Sequence, residues 1–257
     1  MFDWNPELYS KFMAERTQPA VDLAQRITVR NPERVIDIGC GPGNSTKVLA
    51  DLFPNAHIIG ADNSEDMIKR ARGLYPDIDF ITFDAQNDFG RLEKGFDVVF
   101  SNACIQWVPD HPKLLADMMS VLKKGGMLAV QIPDNFSEPI HRIIHELVCG
   151  EKWSGRIKNK RSFYNMSQSG YFDLLSELTT EFSMWETVYY HRMPSHESIL
   201  EWYKGTGLRP YLSSLSEPEA RELENDVLIE VKKAYPKQKN GEIIFRFPRL
   251  FFLALKQ

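Results

Sequence analysis

The chain has 257 residues, 43% of them hydrophobic and 26% charged, with 31 basic side chains against 35 acidic ones and a net charge of −4. That balance belongs to a globular protein with a sizeable core and excludes disorder, collagen and coiled coil. The small negative charge provides no overall field for nucleic acid or anionic lipid. Cys40, Cys104 and Cys149 are too few and too widely spaced for a disulfide framework and fit a reducing cytoplasm. A polar, acidic start and no apolar run near the roughly 18 residues of a membrane span lead us to expect a cytoplasmic chain with no membrane partner.

Across 34–133, short apolar runs alternate with amphipathic stretches, the pattern of parallel strands joined by crossover helices. Strands are expected at 35–38, 57–61, 79–83, 96–100 and 127–132. Helices are expected at 46–53, 64–74 and 112–122, covering both sheet faces. Beyond Pro133 the alternation stops. A helix is expected at 138–149, followed by a basic stretch with Lys152, Arg156, Lys158, Lys160 and Arg161 that reads as a mobile loop. A strand returns at 187–192, two helices follow at 195–204 and 217–234, and a last strand spans 243–255. Pro248 has no N–H to give to a ladder, so a bulge or a late strand start is expected there. The length argues for a single domain over 1–257, with a core at about 30–133 and helical insertions at about 134–182 and 195–240.

The strongest local signal is Asp37-Ile38-Gly39-Cys40-Gly41-Pro42-Gly43-Asn44-Ser45, ending the first strand and opening the first helix. Glycines there let the backbone turn sharply and approach a ligand, while the N–H groups of the helix start favour a polar or anionic group. The third glycine falls at Gly43, and Asn44 occupies the place where the NAD fingerprint G-x-G-x-x-G needs glycine, so NAD is disfavoured. No Gly-Lys pair follows at the spacing of a phosphate loop either. Asp62 ends the second strand, where a carboxylate can hold two ribose hydroxyls. Asp84-Ala85 follows the third strand and Ser101-Asn102-Ala103 the fourth, which places one ligand along the strand ends.

This pattern resembles the class I S-adenosylmethionine-dependent methyltransferases, whose motifs run V-x-D-x-G-x-G-x-G, then an acidic residue on strand two, then an Asp on strand three. The resemblance covers roughly 34–133. It implies an α/β, Rossmann-like class I methyltransferase fold: a mostly parallel seven-stranded sheet with helices on both faces and C-terminal helical insertions. S-adenosylmethionine is then the implied cofactor. By the same resemblance Gly39, Gly41 and Gly43 line its methionine and ribose portion, and Asp37 lies near its amino group. Asp62 takes the ribose hydroxyls, and Asn63 and Met67 flank the adenine. Asp84 accepts from the exocyclic amine, the Ala85 N–H donates to the ring, and the Asn102 carbonyl sits near the methionine amine. Asp84 can equally cap a turn, and Cys40 reads as packing because no His lies near it.

Segments spread over almost the whole chain, among them Trp4-Asn5-Pro6, Gln106-Trp107-Val108-Pro109-Asp110-His111, Gln131-Ile132-Pro133-Asp134-Asn135, Thr206-Gly207-Leu208-Arg209-Pro210 and Phe247-Pro248-Arg249-Leu250-Phe251, resemble the members of that family that act on trans-aconitate. The resemblance implies esterification of one carboxylate of a small-molecule tricarboxylate, with no nucleic-acid partner. A carboxylate ordinarily titrates near pH ~4, so at pH ~7 it is ionised and attacks without a general base, and no catalytic acid or base is expected. Guanidinium groups suit an acceptor with three carboxylates. Arg16, Arg209 and Arg249 are the candidates, with Tyr190 and His191 as further donors and Tyr9 and Trp107 as walls against water.

His141 and His145 share a helical spacing, but Arg142 stands where a metalloprotease helix needs its Glu, and no metal is expected. The alternative acceptor is another small or carrier-bound carboxylate such as a malonyl thioester, for which the basic stretch at 152–161 would be the docking face. A further alternative is a cofactor-binding sensor that has lost transfer activity.

Overall fold

The computed structural model describes residues 13–157, 163–205 and 207–257, with 13–16 described in backbone only. The run Arg34–Ile38 is almost fully buried and forms β1, followed by β2 (His57–Asp62), β3 (Asp79–Thr82), β4 (Phe96–Asn102) and β5 (Leu122–Pro133). Runs of Val, Ile and Phe buried on both faces are what a parallel sheet requires. Helices α2 (Asn44–Leu52), α3 (Glu65–Leu74) and α4 (His111–Val121) lie between these strands in sequence. Helix α3 starts where it does because the Ser64 hydroxyl accepts from the Met67 N–H, and Glu65 and Asp66 complement the dipole of its first turn.

The sheet has seven strands in the order β3-β2-β1-β4-β5-β7-β6, with β6 at Phe182–Met193 and β7 at Ile243–Leu255. β1 pairs in parallel with β2 and with β4, β2 with β3, and β4 with β5, while β7 runs antiparallel to β5. The chain leaves β1 in one direction for β2 and in the other for β4, so a crevice opens at the carboxyl ends of these two strands. Helix α1 (Met13–Ala24) precedes the sheet, and α5 (Pro139–Cys149), α6 (Gln168–Leu178), α7 (His196–Lys204), α8 (Arg209–Leu212) and α9 (Glu217–Ala234) follow β5.

Two compact units divide the described residues, one of 17–133, 163–187 and 249–257, the other of 13–16, 134–157, 188–205 and 207–248. The core of the first packs Ile36, Ile38, Val99, Leu128 and Val130 of the sheet against Leu114, Leu115 and Met118 of α4 and Tyr171 and Leu175 of α6. Helix α3 covers the other sheet face through Ile68 and Ala71, against Phe80. The second unit has its own core, built from Ile140 and Ile144 of α5, Trp202 and Tyr203 of α7, Val227 and Val231 of α9, and Phe245.

Three expectations need correction. β7 runs without a break through Pro248, because its ladder with β5 ends at the pair Pro133 and Arg249 and the proline lies beyond it, where no hydrogen bond to β5 is lost. The described part of the basic stretch is not a free loop. Trp153 is buried and donates from Nε1 to Asp226 at 2.9 Å, Lys152 pairs with Glu222 and Asp226 at 2.8 and 2.6 Å, and Arg156 lies 3.9 Å from Glu219 and Glu222, all on α9. Lys158, Lys160 and Arg161 lie outside the described residues. Finally, β5 begins at Leu122, because Leu122 pairs with Phe96 before a register shift that the Gly125-Gly126 turn-like sequence had disguised.

Candidate active site

The glycine-rich turn leaves β1 with all three glycines at positive φ, +76° at Gly39, +55° at Gly41 and +91° at Gly43. Their surroundings differ. A side chain at Gly39 would overlap Cys104, and one at Gly43 would press on Phe80 and Tyr75, so both are packed against protein. Gly41 faces open space on the side where a Cβ would stand. Gly43 is the N-cap of α2, which has no side-chain cap and no acidic residue in its first turn. A helix start of this kind is one where backbone N–H groups can meet an anionic or polar group.

Asp37 is fully buried, yet only one of its carboxylate oxygens is satisfied. Oδ2 accepts from Ser45 Oγ at 2.6 Å and Thr46 Oγ1 at 2.8 Å, while Oδ1 has no partner among the described residues. Burial pushes its pKa up to about 6, assisted by the charge of Asp62 and opposed by the two hydroxyl hydrogen bonds. Asp62 accepts from the Gly41 N–H through Oδ2 and the Ser64 N–H through Oδ1, both at 2.9 Å, so the carboxylate is oriented by backbone on both oxygens. Asn63 is exposed and Met67 half-buried beside it.

Asp84 caps the turn after β3, accepting from the Gln86 N–H at 2.9 Å and from Asn87 Nδ2 at 2.7 Å, and Ala85 is buried next to it. Asn102, the last residue of β4, carries a buried Oδ1 with no partner among the described residues. The register aligns Asp37 with Phe100, Asn102 with Gln131, Gln131 with Phe251 and Pro133 with Arg249. Partners across a ladder share a face and side chains alternate along a strand. Asp37, Asn102, Gln131 and Arg249 thus occupy one face of the sheet at its carboxyl end. Arg249 is only 7% exposed there. Trp107 is 38% exposed after β4 and packs its ring on Phe163, with centroids 4.7 Å apart.

The remaining acceptor candidates lie elsewhere in the chain. Tyr190 is exposed on β6, and His191 sits among the rings of Tyr189, Trp202, Phe245 and Phe247. Arg209 is exposed at the start of α8. Tyr9 and the Arg16 side chain lie outside the described residues. His141 and His145 have different partners, Tyr203 Oη at 2.9 Å and Cys149 Sγ at 3.8 Å.

Gln106 and Gln131, both buried, and Asn165, half-buried with a buried Oδ1, carry no role in the sequence pattern. Gln131 is fully buried, and neither amide atom has a partner among the described residues. A polar residue inside the apolar run Leu128-Ala129-Val130-Gln131-Ile132 was the available signal.

Residues 30–199 match a family model described as a methyltransferase domain. Over 254 residues the chain is 42% identical to a protein of Escherichia coli O7:K1 named trans-aconitate 2-methyltransferase, a match covering 99% of this chain and 98% of that one. Among solved structures, the YcgJ protein of Bacillus subtilis aligns with a TM-score of 0.59 at 16% identity, over 93% of this chain and 99% of that one. A phosphoethanolamine N-methyltransferase of Haemonchus contortus, solved with phosphomonomethylethanolamine and S-adenosylhomocysteine, aligns with a TM-score of 0.57 at 17% identity, over 93% of this chain and 53% of that one. At these identities the two structures speak to fold.

Proposed function

The chain belongs to the trans-aconitate 2-methyltransferases within the methyltransferase family, and from that premise we propose that it moves the methyl group of S-adenosylmethionine to one carboxylate of trans-aconitate, giving a monomethyl ester. The observation that carries the reading is the composition of one sheet end. Asp37 and Asn102 offer orphaned acceptor oxygens for an ammonium, and the buried guanidinium of Arg249 occupies the same face. Acceptors for a cation beside donors for an anion suit an amino-acid-derived sulfonium and a polycarboxylate together.

The residues present fit the cofactor. Gly41 would admit its backbone close to the turn, Asp62 would take the ribose diol, Asp37 and Asn102 the amino group, and Met67, Asn63, Asp84 and Ala85 the adenine. Gly39 and Gly43 would hold the turn in shape. When bound, S-adenosylmethionine supplies a methyl group made electrophilic by the positively charged sulfur.

The acceptor carboxylate is ionised at neutral pH, so this chain needs no general base; its task is to aim one oxygen and exclude water. The negative charge on the attacking carboxylate fades as the ester forms, so a cation gripping that group would favour the ground state over the transition state. Guanidinium grips belong on the carboxylates that do not react. We assign Arg249 to one of them, with Trp107 and Phe163 as an apolar wall. Tyr9, Arg16, Tyr190, His191 and Arg209 keep their acceptor assignment on the resemblance of their segments alone. A carrier-bound acceptor finds less support, since Lys152 and Arg156 are engaged by the acidic face of α9.

Kinetics of Arg249→Lys and Arg249→Gln test the reading. Losing the two-pronged grip is expected to raise KM for trans-aconitate by about 10- to 100-fold with the dissociation constant for S-adenosylmethionine changed less than about threefold. An unchanged KM for the acceptor removes Arg249 from the site.

A further inference from the structure

The carboxyl end of the sheet holds more unsatisfied polarity than the cofactor assignments use. Gln131 is fully buried near the carboxyl end of β5, and neither its Oε1 nor its Nε2 has a partner among the described residues. Gln106, 3% exposed, donates from Nε2 to the Ala103 carbonyl at 2.7 Å and leaves its Oε1 without a partner among the described residues. Asn165 donates from Nδ2 to the Pro133 carbonyl at 2.8 Å and leaves its buried Oδ1 likewise. Native proteins satisfy nearly all buried amide groups, and each one left bare lowers stability. Gln131, with both ends bare, is the extreme case in this set. An amide retained there at the expense of stability marks a group waiting for a ligand.

The position says which ligand. Gln131 lies in register with Asn102 on one side and Phe251 on the other, and two residues from Pro133, whose cross-strand partner is Arg249. Its side chain therefore stands on the same sheet face between the asparagine at the cofactor side and the arginine at the anion side. A neutral carboxamide in that place can donate Nε2–H to a carboxylate oxygen without cancelling its charge. That is the requirement the chemistry sets for the reacting carboxylate, whose negative charge must stay available for attack. Phe251, stacked on Trp185 with centroids 5.1 Å apart, adds an apolar flank next to the amide.

We infer that Gln131 is the residue that orients the reacting carboxylate of the acceptor, while Arg249 grips one that does not react. The inference rests on the acceptor reading above and adds a division of labour: a neutral donor for the nucleophile and a cation for a spectator group. Gln106 and Asn165 offer acceptor atoms near the same strand ends, suited to a protonated or hydrated part of the ligand rather than to a carboxylate.

Four readouts on Gln131→Leu and Gln131→Glu test it, each against the wild type. In Gln131→Leu, kcat at saturating trans-aconitate falls about 100-fold, the loss expected when a reacting atom is no longer aimed. The dissociation constant for S-adenosylmethionine stays within about threefold, and the melting temperature of the ligand-free protein rises by a few degrees because the bare amide is gone. Gln131→Glu puts a carboxylate beside Arg249 and raises KM for the acceptor at least about tenfold through charge competition. If wild type forms ester and Gln131→Leu keeps kcat within about twofold, the role of Gln131 is overturned. If S-adenosylmethionine affinity falls in step with kcat, Gln131 belongs to the cofactor site and the inference is overturned. If the wild type forms no ester from trans-aconitate, the acceptor reading fails and takes this role with it.

Discussion

Replacing Asp37 with asparagine should make the ligand-free protein more stable while destroying much of its cofactor affinity. Asp37 is fully buried and its pKa is raised from 3.8 to about 6. A shift of about two units corresponds to about 3 kcal/mol of destabilisation once the group is ionised in both folded and unfolded states. The sign follows from where the proton binds more tightly. Because the folded state holds the proton more strongly, stability is highest below the unfolded value of 3.8 and is lost as pH rises through about 6. The penalty is about 3 kcal/mol at pH 7.5 and about half of that at pH 5.

Asparagine keeps a carbonyl oxygen for Ser45 and Thr46, but turns the orphaned oxygen into an orphaned NH2, which costs about 1 kcal/mol. The net gain near pH 7.5 is about 1 to 2 kcal/mol, or roughly 2 to 8 °C in melting temperature for a chain of this size. Thermal unfolding of Asp37→Asn and wild type at pH 7.5 and pH 5 should show this gap shrinking as pH falls. Calorimetric titration at pH 7.5 should show S-adenosylmethionine bound about 30-fold or more weakly, since a buried charged partner has been removed. In the wild type, affinity should fall about tenfold per pH unit below about 6. A variant no more stable at pH 7.5, or a gap independent of pH, would refute the burial argument; unchanged cofactor affinity would remove Asp37 from the site.

The glycines of the turn should separate by what faces them. Gly41→Ala puts its methyl into open space, so stability should drop by only about 1 kcal/mol from the positive φ, while S-adenosylmethionine affinity falls at least about tenfold. Gly39→Ala forces a methyl onto the Cβ and Sγ of Cys104 at the same kind of φ, so it should lower the melting temperature by several degrees, with Cys104→Gly restoring part of it. Equal melting losses in the two variants would contradict the assignment of Gly41 to the ligand side.

Much of this molecule could be read from residues alone, for identifiable reasons. The five core strands stand out because parallel strands buried on both faces need unbroken apolar runs, and Ser64 and Ser195 mark helix starts that the structure places one residue later. Helix α6 escaped because Gln168-Ser169-Gly170 weakens its first turn, and its burial depends on Tyr171 meeting His111 of α4, with the Tyr171 hydroxyl and His111 Nδ1 2.7 Å apart. The apparent mobility of Lys152 and Arg156 came from reading charge without the acidic face of α9, a partner more than 60 residues away. Asp84 was legible as a carboxylate at a strand end, and the structure adds that it organises its own turn. Gln131 could be seen but not interpreted. Only the cross-strand register puts it between Asn102 and Phe251 and next to Arg249, and register is a long-range property that a local pattern does not carry.

The central claim is transfer to a carboxylate that needs no base. Mass analysis of trans-aconitate incubated with wild-type protein and S-adenosylmethionine from pH 6.5 to 9 tests it most directly. The account predicts one added methyl per acceptor, lost on mild alkaline hydrolysis as an ester is, with a turnover at saturating substrates that varies less than about threefold across that range. A methyl on no carboxylate of trans-aconitate, or a turnover rising about tenfold per pH unit as a base is uncovered, would contradict it.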